Sequence, residues 1–223
     1  MGRIAVTLGS GAFGPRGREL AAVAEASGAV VLQRHGTESY TLPHAIDHDA
    51  NLRRLLEAGC DRVLAFGSVG SLSAELGVGS FVCPDDFVAL QVTLTTFTDP
   101  RAHAMPGFDS AWRAELVSAW RKSGAGELGD GGVYWQTNGP RFETPAEIRV
   151  IAAHADLVGM TLASECIVAG ELGLRYAAIC VVDNLANGIA PVPFSVEELE
   201  EAREVNADRL RAGLEAVLPE LAG

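Results

Sequence analysis

A single-domain α/β sandwich around a largely parallel central sheet is the fold the sequence predicts, and three observations carry it. Short β-rich runs alternate with amphipathic helical stretches along the chain. Glycine closes several of those helical stretches, where a helix C-cap belongs. No repeat, low-complexity tract or linker divides the 223 residues, a length one domain commonly reaches.

The elements follow in order. "RIAVTLG" reads as a strand, "RGRELAAVAEASG" as a helix closed by Gly28, and "AVVLQR" as a second strand. "DANLRRLLEAG" is an amphipathic helix ending at Gly59, and "DRVLAFGSVGS" a strand running into a glycine turn. "SFVCP" and "DFVALQVTL" supply two further strands, residues 112–122 a helix, and "GGVYWQTN" an extended segment. In "TPAEIRVIAAHA", Thr144 is the N-cap, Pro145 sits at the first helical position and Glu147 closes a capping box. "ASECIVAGELG" and "SVEELEEAREVNADRLRAGLEAVL" are the last two helices, separated by the strand "RYAAICVVDN".

Composition narrows the function. A net charge of −12 argues against nucleic acid as a partner, since such a surface carries a basic stripe. No apolar run reaches the roughly 18 residues a membrane span needs, so no membrane partner is expected. The N-terminal apolar run ends at Gly9 and reads as a strand, not a secretion signal. Cys60, Cys83, Cys166 and Cys180 lie far apart among apolar neighbours, as buried thiols of a cytoplasmic protein do. They form no cluster with histidine of the kind a metal requires, and no metal site is expected.

Ligands of such sheets sit beyond the carboxyl ends of the strands. The segments there are residues 9–14, 34–35, 67–71, 138–143, 159–161 and 183–187, all rich in groups that bind anions or bases. "GSGAFG" matches a dinucleotide-binding glycine pattern, but the second strand ends in Gln33 and Arg34, not an acid, and Pro15 is expected to disrupt the helix start. An NADP site using Arg34, a plain glycine turn, and a small-anion site at Ser10 are the three readings; the anion fits best. Arg34 offers a planar fork of donors, and His35 beside it is expected to donate as well. "GSVGS" exposes backbone amides, and Thr161 either caps a helix or binds an anion at its N-terminus. His44, His48 and His154 have no such setting and are assigned to structure or surface. Phe142 and Glu143 are not needed to start the helix at Thr144; a ring face beside a carboxylate suits a flat heterocycle.

With these residues in view, the chain resembles the trimeric purine nucleoside and methylthioadenosine phosphorylases, most densely in "NGPRFETPAEIR" and "ADLVGMTLASECIVAGELGLRYAAICVVDN". The resemblance implies an αβα sandwich with a mixed, barrel-like sheet and a homotrimer or dimer of trimers. It implies no cofactor, with inorganic phosphate as co-substrate in cleaving a nucleoside to free base and ribose 1-phosphate. It also implies roles. Ser10, Arg34, His35, Gly67, Ser68 and Thr161 match the phosphate ligands, Met160 the residue against the ribose, and Phe142 the aromatic packed on the purine. Val69, Gly70 and Ala186 line the base, and His103 resembles a residue lent to the 5′ side by a neighbouring subunit. One departure is the short segment between Ser10 and Arg34, where the family has a longer stretch.

Glu143 and Asn184 match the family members that act on 6-oxopurines. Hypoxanthine and guanine present an N1–H that Glu143 accepts, while Asn184 bonds O6 and N7; adenine would set a lone pair against the carboxylate. Val196 stands where ordinary nucleoside phosphorylases hold the 5′-hydroxyl with histidine, so 5′-methylthioinosine or a related 5′-deoxy nucleoside is the expected substrate. The implied reaction is a dissociative displacement with Asn184, Glu143 and His35 as its catalytic groups. A nucleoside hydrolase of the same fold, a methylthioadenosine phosphorylase and a non-catalytic nucleoside-binding protein are the alternatives.

Overall fold

The computed structural model describes residues 2–10, 15–191 and 195–222. The last four residues of the "GSGAFG" pattern therefore lie outside the described residues. Among the described residues, nine strands form one sheet: β1 (Arg3–Leu8), β2 (Val30–Gln33), β3 (Cys60–Ser71), β4 (Phe81–Cys83), β5 (Asp86–Val88), β6 (Gly129–Asp130), β7 (Val133–Gln136), β8 (Leu157–Gly159) and β9 (Arg175–Leu185). Six α-helices of the described residues flank it: α1 (Pro15–Ala26), α2 (His48–Glu57), α3 (Ser110–Ser123), α4 (Pro145–Ile151), α5 (Leu162–Glu171) and α6 (Val196–Ala222).

The two long strands organise the rest. β3 pairs β9 in parallel along nearly its whole length, from Arg62 with Arg175 to Ser71 with Leu185. On its other edge, β3 pairs β1 in parallel through its first half and β8 antiparallel at its far end. A 12-residue strand that changes partner midway lets the sheet twist and curl. The sheet is thus mixed, as the family resemblance implies, and less uniformly parallel than strand–helix alternation alone suggests.

Side chains alternate across the sheet with period two, and each face has its own core. Ile4, Val6 and Leu8 of β1, Leu64 and Phe66 of β3, and Ile179 and Val181 of β9 meet α1, α3 and α6. Ala5, Val63, Ala65, Ala178, Cys180 and Val182 face α2 and α5 on the other side. Trp112 and Trp120 fill the space between the sheet, α3 and α6, and the Trp112 indole donates to the Val63 carbonyl at 2.8 Å. The α6 contribution, Leu210, Leu214, Val217, Leu218 and Leu221, recurs at helical spacing, as a stripe facing a core must. All four cysteines are buried and unpaired.

Local chemistry places several boundaries. The Thr144–Glu147 capping box forms in both directions, with Pro145 at the first helical position. Pro15 begins α1 instead of disrupting it, because the first helical residue needs no N–H partner. "GSVGS" is not a turn: β9 pairs with every residue of it, and only a bulge between Val69 and Gly70 interrupts the ladder. β5 stops at Val88, short of "DFVALQVTL", because it pairs β7 for only three residues. Among the described residues, no helix is long and apolar enough to cross a membrane.

Glycine is required where β8 passes the buried Tyr134 ring. A Cβ at Gly159 would lie 2.7 Å from the Tyr134 hydroxyl and 2.9 Å from a ring carbon. That ring is fixed, since its hydroxyl accepts from the Thr161 and Leu162 amides at 3.2 and 3.4 Å. Gly159→Ala is expected to lower stability by about 1–3 kcal/mol, the usual cost of overpacking, measured by urea unfolding.

Candidate functional site

Strand ends β1, β2, β3, β8 and β9 converge on one cavity of about 320 Å³, closed by the loop before α4 and the first turns of α6. That volume is at the lower end of the range for small-molecule sites, about 300–1,000 Å³. Part of its lining carries oxygen and nitrogen donors, and another part a carboxylate, an amide and an aromatic ring.

Arg34 directly follows β2 and is buried at the floor of the donor wall. Its Nε donates to Glu165 Oε1 at 3.1 Å, and its Nη2 to Glu165 Oε2 at 2.7 Å and Thr7 Oγ1 at 2.8 Å. Its Nη1 donates to the Phe66 carbonyl at 2.7 Å. Four of the five guanidinium N–H groups are therefore committed inside the protein. Burial opposes charge on both partners. Their mutual attraction and hydrogen bonds outweigh it, holding the Glu165 carboxyl below and Arg34 above their ordinary values.

His35 follows, its ring stacked on Tyr40 at 4.8 Å between centroids. Its Nδ1 is 2.8 Å from the Thr41 carbonyl, which can only accept, so Nδ1 carries the proton. Burial lowers the His35 pKa to about 4, so the neutral ring offers Nε2 as an acceptor. The expected donor is thus an acceptor in this structure, because its one N–H is spent on the backbone. Ser68 donates its hydroxyl to Asp183, which also accepts from Asn206 at 2.7 Å. What remains for a ligand there is backbone. Thr161 makes no side-chain cap, and Tyr134 meets the α5 N-terminal amides in its place; the Thr161 hydroxyl lines the cavity.

Thr137 donates to Glu143 Oε1 at 2.5 Å, which fixes the carboxylate as an acceptor. Asn187 holds the Glu143 backbone carbonyl at 2.9 Å, and Asn184 Nδ2 donates to the Leu185 carbonyl at 2.9 Å. Glu143 and Asn184 are both buried. Phe142 is more exposed, and Gly70 is bare where a Cβ would meet Val158, Asn184 and Ala186 at 3.1–3.5 Å. A side chain at position 70 would therefore crowd the Asn184 amide and the Ala186 methyl.

A family model described as "Phosphorylase superfamily" matches residues 7–219. The chain belongs to that superfamily. It is 42% identical over 177 residues, 79% of this chain and 73% of the relative, to a protein of Archaeoglobus fulgidus named "Probable 6-oxopurine nucleoside phosphorylase". It is 35% identical to one of Methanothermobacter thermautotrophicus named "Probable S-methyl-5'-thioinosine phosphorylase", over 85% of this chain and 68% of that one. In fold it is similar to methylthioadenosine phosphorylase from Schistosoma mansoni in complex with adenine, with TM-score 0.78, 24% identity, and 99% and 92% of the two chains covered. The mixed sheet between helical layers is therefore the fold of this superfamily.

Within this phosphorylase, Ser10, Arg34, His35, Ser68, Val69, Gly70, Phe142, Glu143, Met160, Thr161, Asn184, Ala186 and Val196 all border the one cavity. Gly67 lies just beneath it; a Cβ there would meet Leu162 at 2.7 Å. His103 is exposed on a short 3₁₀ turn and does not reach the cavity of its own chain. His44 and His154 are exposed, whereas His48 is buried, its Nδ1 without a hydrogen-bond partner. Sequence reasoning missed Tyr40, Leu42, Pro43, Leu199 and Arg203 in the lining, and Thr137 and Glu165 behind it. Leu199 and Arg203 follow Val196 at helical spacing, a signal that α6 turns this face to the site. Among the described residues no group of acidic, cysteine and histidine side chains is arranged to hold a metal.

Burial also lowers the His48 pKa to about 4. Both rings thus bind a proton near pH 6.5 when unfolded but only near pH 4 when folded. Their contribution to stability is complete above the unfolded value and is lost as pH falls toward 4. The melting temperature is expected to drop between pH 7 and pH 5, and His48→Gln to shrink that drop; scanning calorimetry at both pH values checks it.

Proposed function

We propose that this phosphorylase cleaves 6-oxopurine nucleosides with inorganic phosphate, giving free base and a ribose 1-phosphate. The observation that carries the reading is that the buried Glu143 and Asn184 line the same cavity as Ser10, Ser68 and Thr161. Relatives named as 6-oxopurine nucleoside and S-methyl-5'-thioinosine phosphorylases support it.

Glu143, already accepting from Thr137, takes the N1–H of hypoxanthine or guanine on its second oxygen. Phe142 stacks on the base and Met160 lies against the ribose. As the glycosidic bond breaks, charge flows onto the purine. Asn184 meets it at O6 and N7 as a dipole already in place, and Val69, Gly70 and Ala186 close the ring's edge. Phosphate attacks C1′ from the other face. Ser10, Thr161, the remaining Arg34 N–H and the Gly67–Ser68 backbone donate to it, and its own O–H donates to His35 Nε2. No covalent intermediate or organic cofactor enters.

The 5′ side is lined by Leu42, Pro43, Val196 and Leu199, an apolar surface that suits a methylthio group better than a hydroxyl. The working enzyme is a cytoplasmic homotrimer, or a dimer of trimers, in which a neighbour supplies His103 to this edge. Light scattering tests the assembly.

A panel of inosine, guanosine, methylthioinosine, adenosine and methylthioadenosine, with and without phosphate, tests the whole reading. Oxopurine release that requires phosphate supports it; release without phosphate makes the chain a hydrolase, and faster adenine release removes the Glu143 role. Asn184→Ala is expected to lower kcat by about 10²–10³ with little change in nucleoside KM. Glu143→Ser is expected to cut the oxopurine preference by roughly 10- to 100-fold, read as the ratio of kcat/KM values.

A further inference from the structure

We propose that Arg203, from the third turn of α6, is the cation that grips the incoming phosphate, and that Arg34 is the fixed frame beneath it. This rests on the phosphorolysis reading and divides the site's charge between two arginines.

Arg34 and Arg203 are the two cationic side chains among the described residues lining the cavity. They differ in what they have left to give. Arg34 is matched by Glu165 at 2.7 Å with both side chains 1% exposed, so an approaching anion meets a neutral pair with one N–H to spare. Its charge is already answered.

Arg203 is the reverse. Its Nη2 lies 3.5 Å from both Ser10 Oγ and Ser68 Oγ, the hydroxyls at the ends of β1 and β3. Its Nε is 3.6 Å from Asp183 Oδ2 and has no hydrogen-bond partner although it is buried. A charge-assisted N–H···O bond closes to about 2.7–2.9 Å, so all three contacts are long and weak beside those of Arg34. The Asp183 oxygens are meanwhile engaged by Ser68 and Asn206. The guanidinium thus sits between two hydroxyls on the phosphate side, next to a carboxylate that does not close on it. A phosphate oxygen beside Ser10 would give its fork shorter bonds than any it makes to the described residues.

The spacing of Val196, Leu199 and Arg203 puts all three on one face of α6 and in one cavity. The helix that carries the apolar 5′ wall also carries the phosphate grip, so bound phosphate would hold α6 against the nucleoside.

Three variants test this: Arg203→Gln, Arg203→Lys, and Arg211→Gln, an exposed position on the same helix paired with Glu215. Initial rates are measured against phosphate concentration with the oxopurine nucleoside the wild type cleaves best, and melting temperature is measured against inorganic phosphate alone. Arg203→Gln is expected to raise the phosphate KM about 10- to 100-fold, leave the nucleoside KM little changed, and abolish the phosphate-induced rise in Tm. Arg203→Lys should recover part of the affinity, since it keeps the charge and loses the fork, and Arg211→Gln should match the wild type. An Arg203→Gln protein with wild-type phosphate KM and Tm rise overturns the proposal and leaves phosphorolysis standing. A wild type that neither needs phosphate nor gains stability from it overturns both.

Discussion

One buried ion pair fastens the elements that make the site. Glu165, in the first turn of α5, accepts from Arg34 just after β2, Thr7 on β1 and Tyr176 on β9, while Arg34 also donates to the Phe66 carbonyl of β3. Four strands and a helix therefore meet at one carboxylate and one guanidinium. Such a pair adds little net stability over an apolar substitute, because both charges leave water. Its asymmetry is what matters: losing either partner strands a buried charge, at a cost of roughly 3–5 kcal/mol. The pair fixes where the strand ends stop, and so where the cavity floor lies.

Above that floor, rigidity is graded. The base wall is locked by short side-chain contacts, Thr137 to Glu143 and Asn187 to the Glu143 backbone, so its acceptor and amide are oriented before a ligand arrives. The anion wall is looser. His35 is tied through Nδ1 and Ser68 through its hydroxyl, leaving backbone, Ser10, Thr161 and the long contacts of Arg203 to adapt. Under the proposed reaction, a preorganised Glu143–Asn184 side beside a more adaptable Ser10–Arg203 side suits charge that develops on the base.

Much of the fold was legible because its causes are local or periodic. The capping box at Thr144 spans four residues, and the alternation in β1, β3 and β9 sorts their side chains to two faces without reference to anything distant. Most of the proposed ligands were legible too, as strand-end residues and through the family likeness. What failed was the assignment of hydrogen-bond partners. Arg34 looked like an open fork, but Glu165 lies 131 residues away; His35 looked like a donor, but the Thr41 carbonyl takes its proton. Arg203 lies on a helix whose sequence reads as a charged surface, and it approaches Ser10 across 193 positions.

The sequence by itself determined the order of elements, the faces of the long strands, the start of α4 and the identity of the Glu143–Asn184 pair. Each depends on a residue's own chemistry or on neighbours within a turn. Only the tertiary structure decided which of two arginines is already neutralised, which nitrogen of His35 is spent, and that α6 closes the anion wall. Those outcomes depend on the partner a polar group finds after folding, and burial makes that partner decisive.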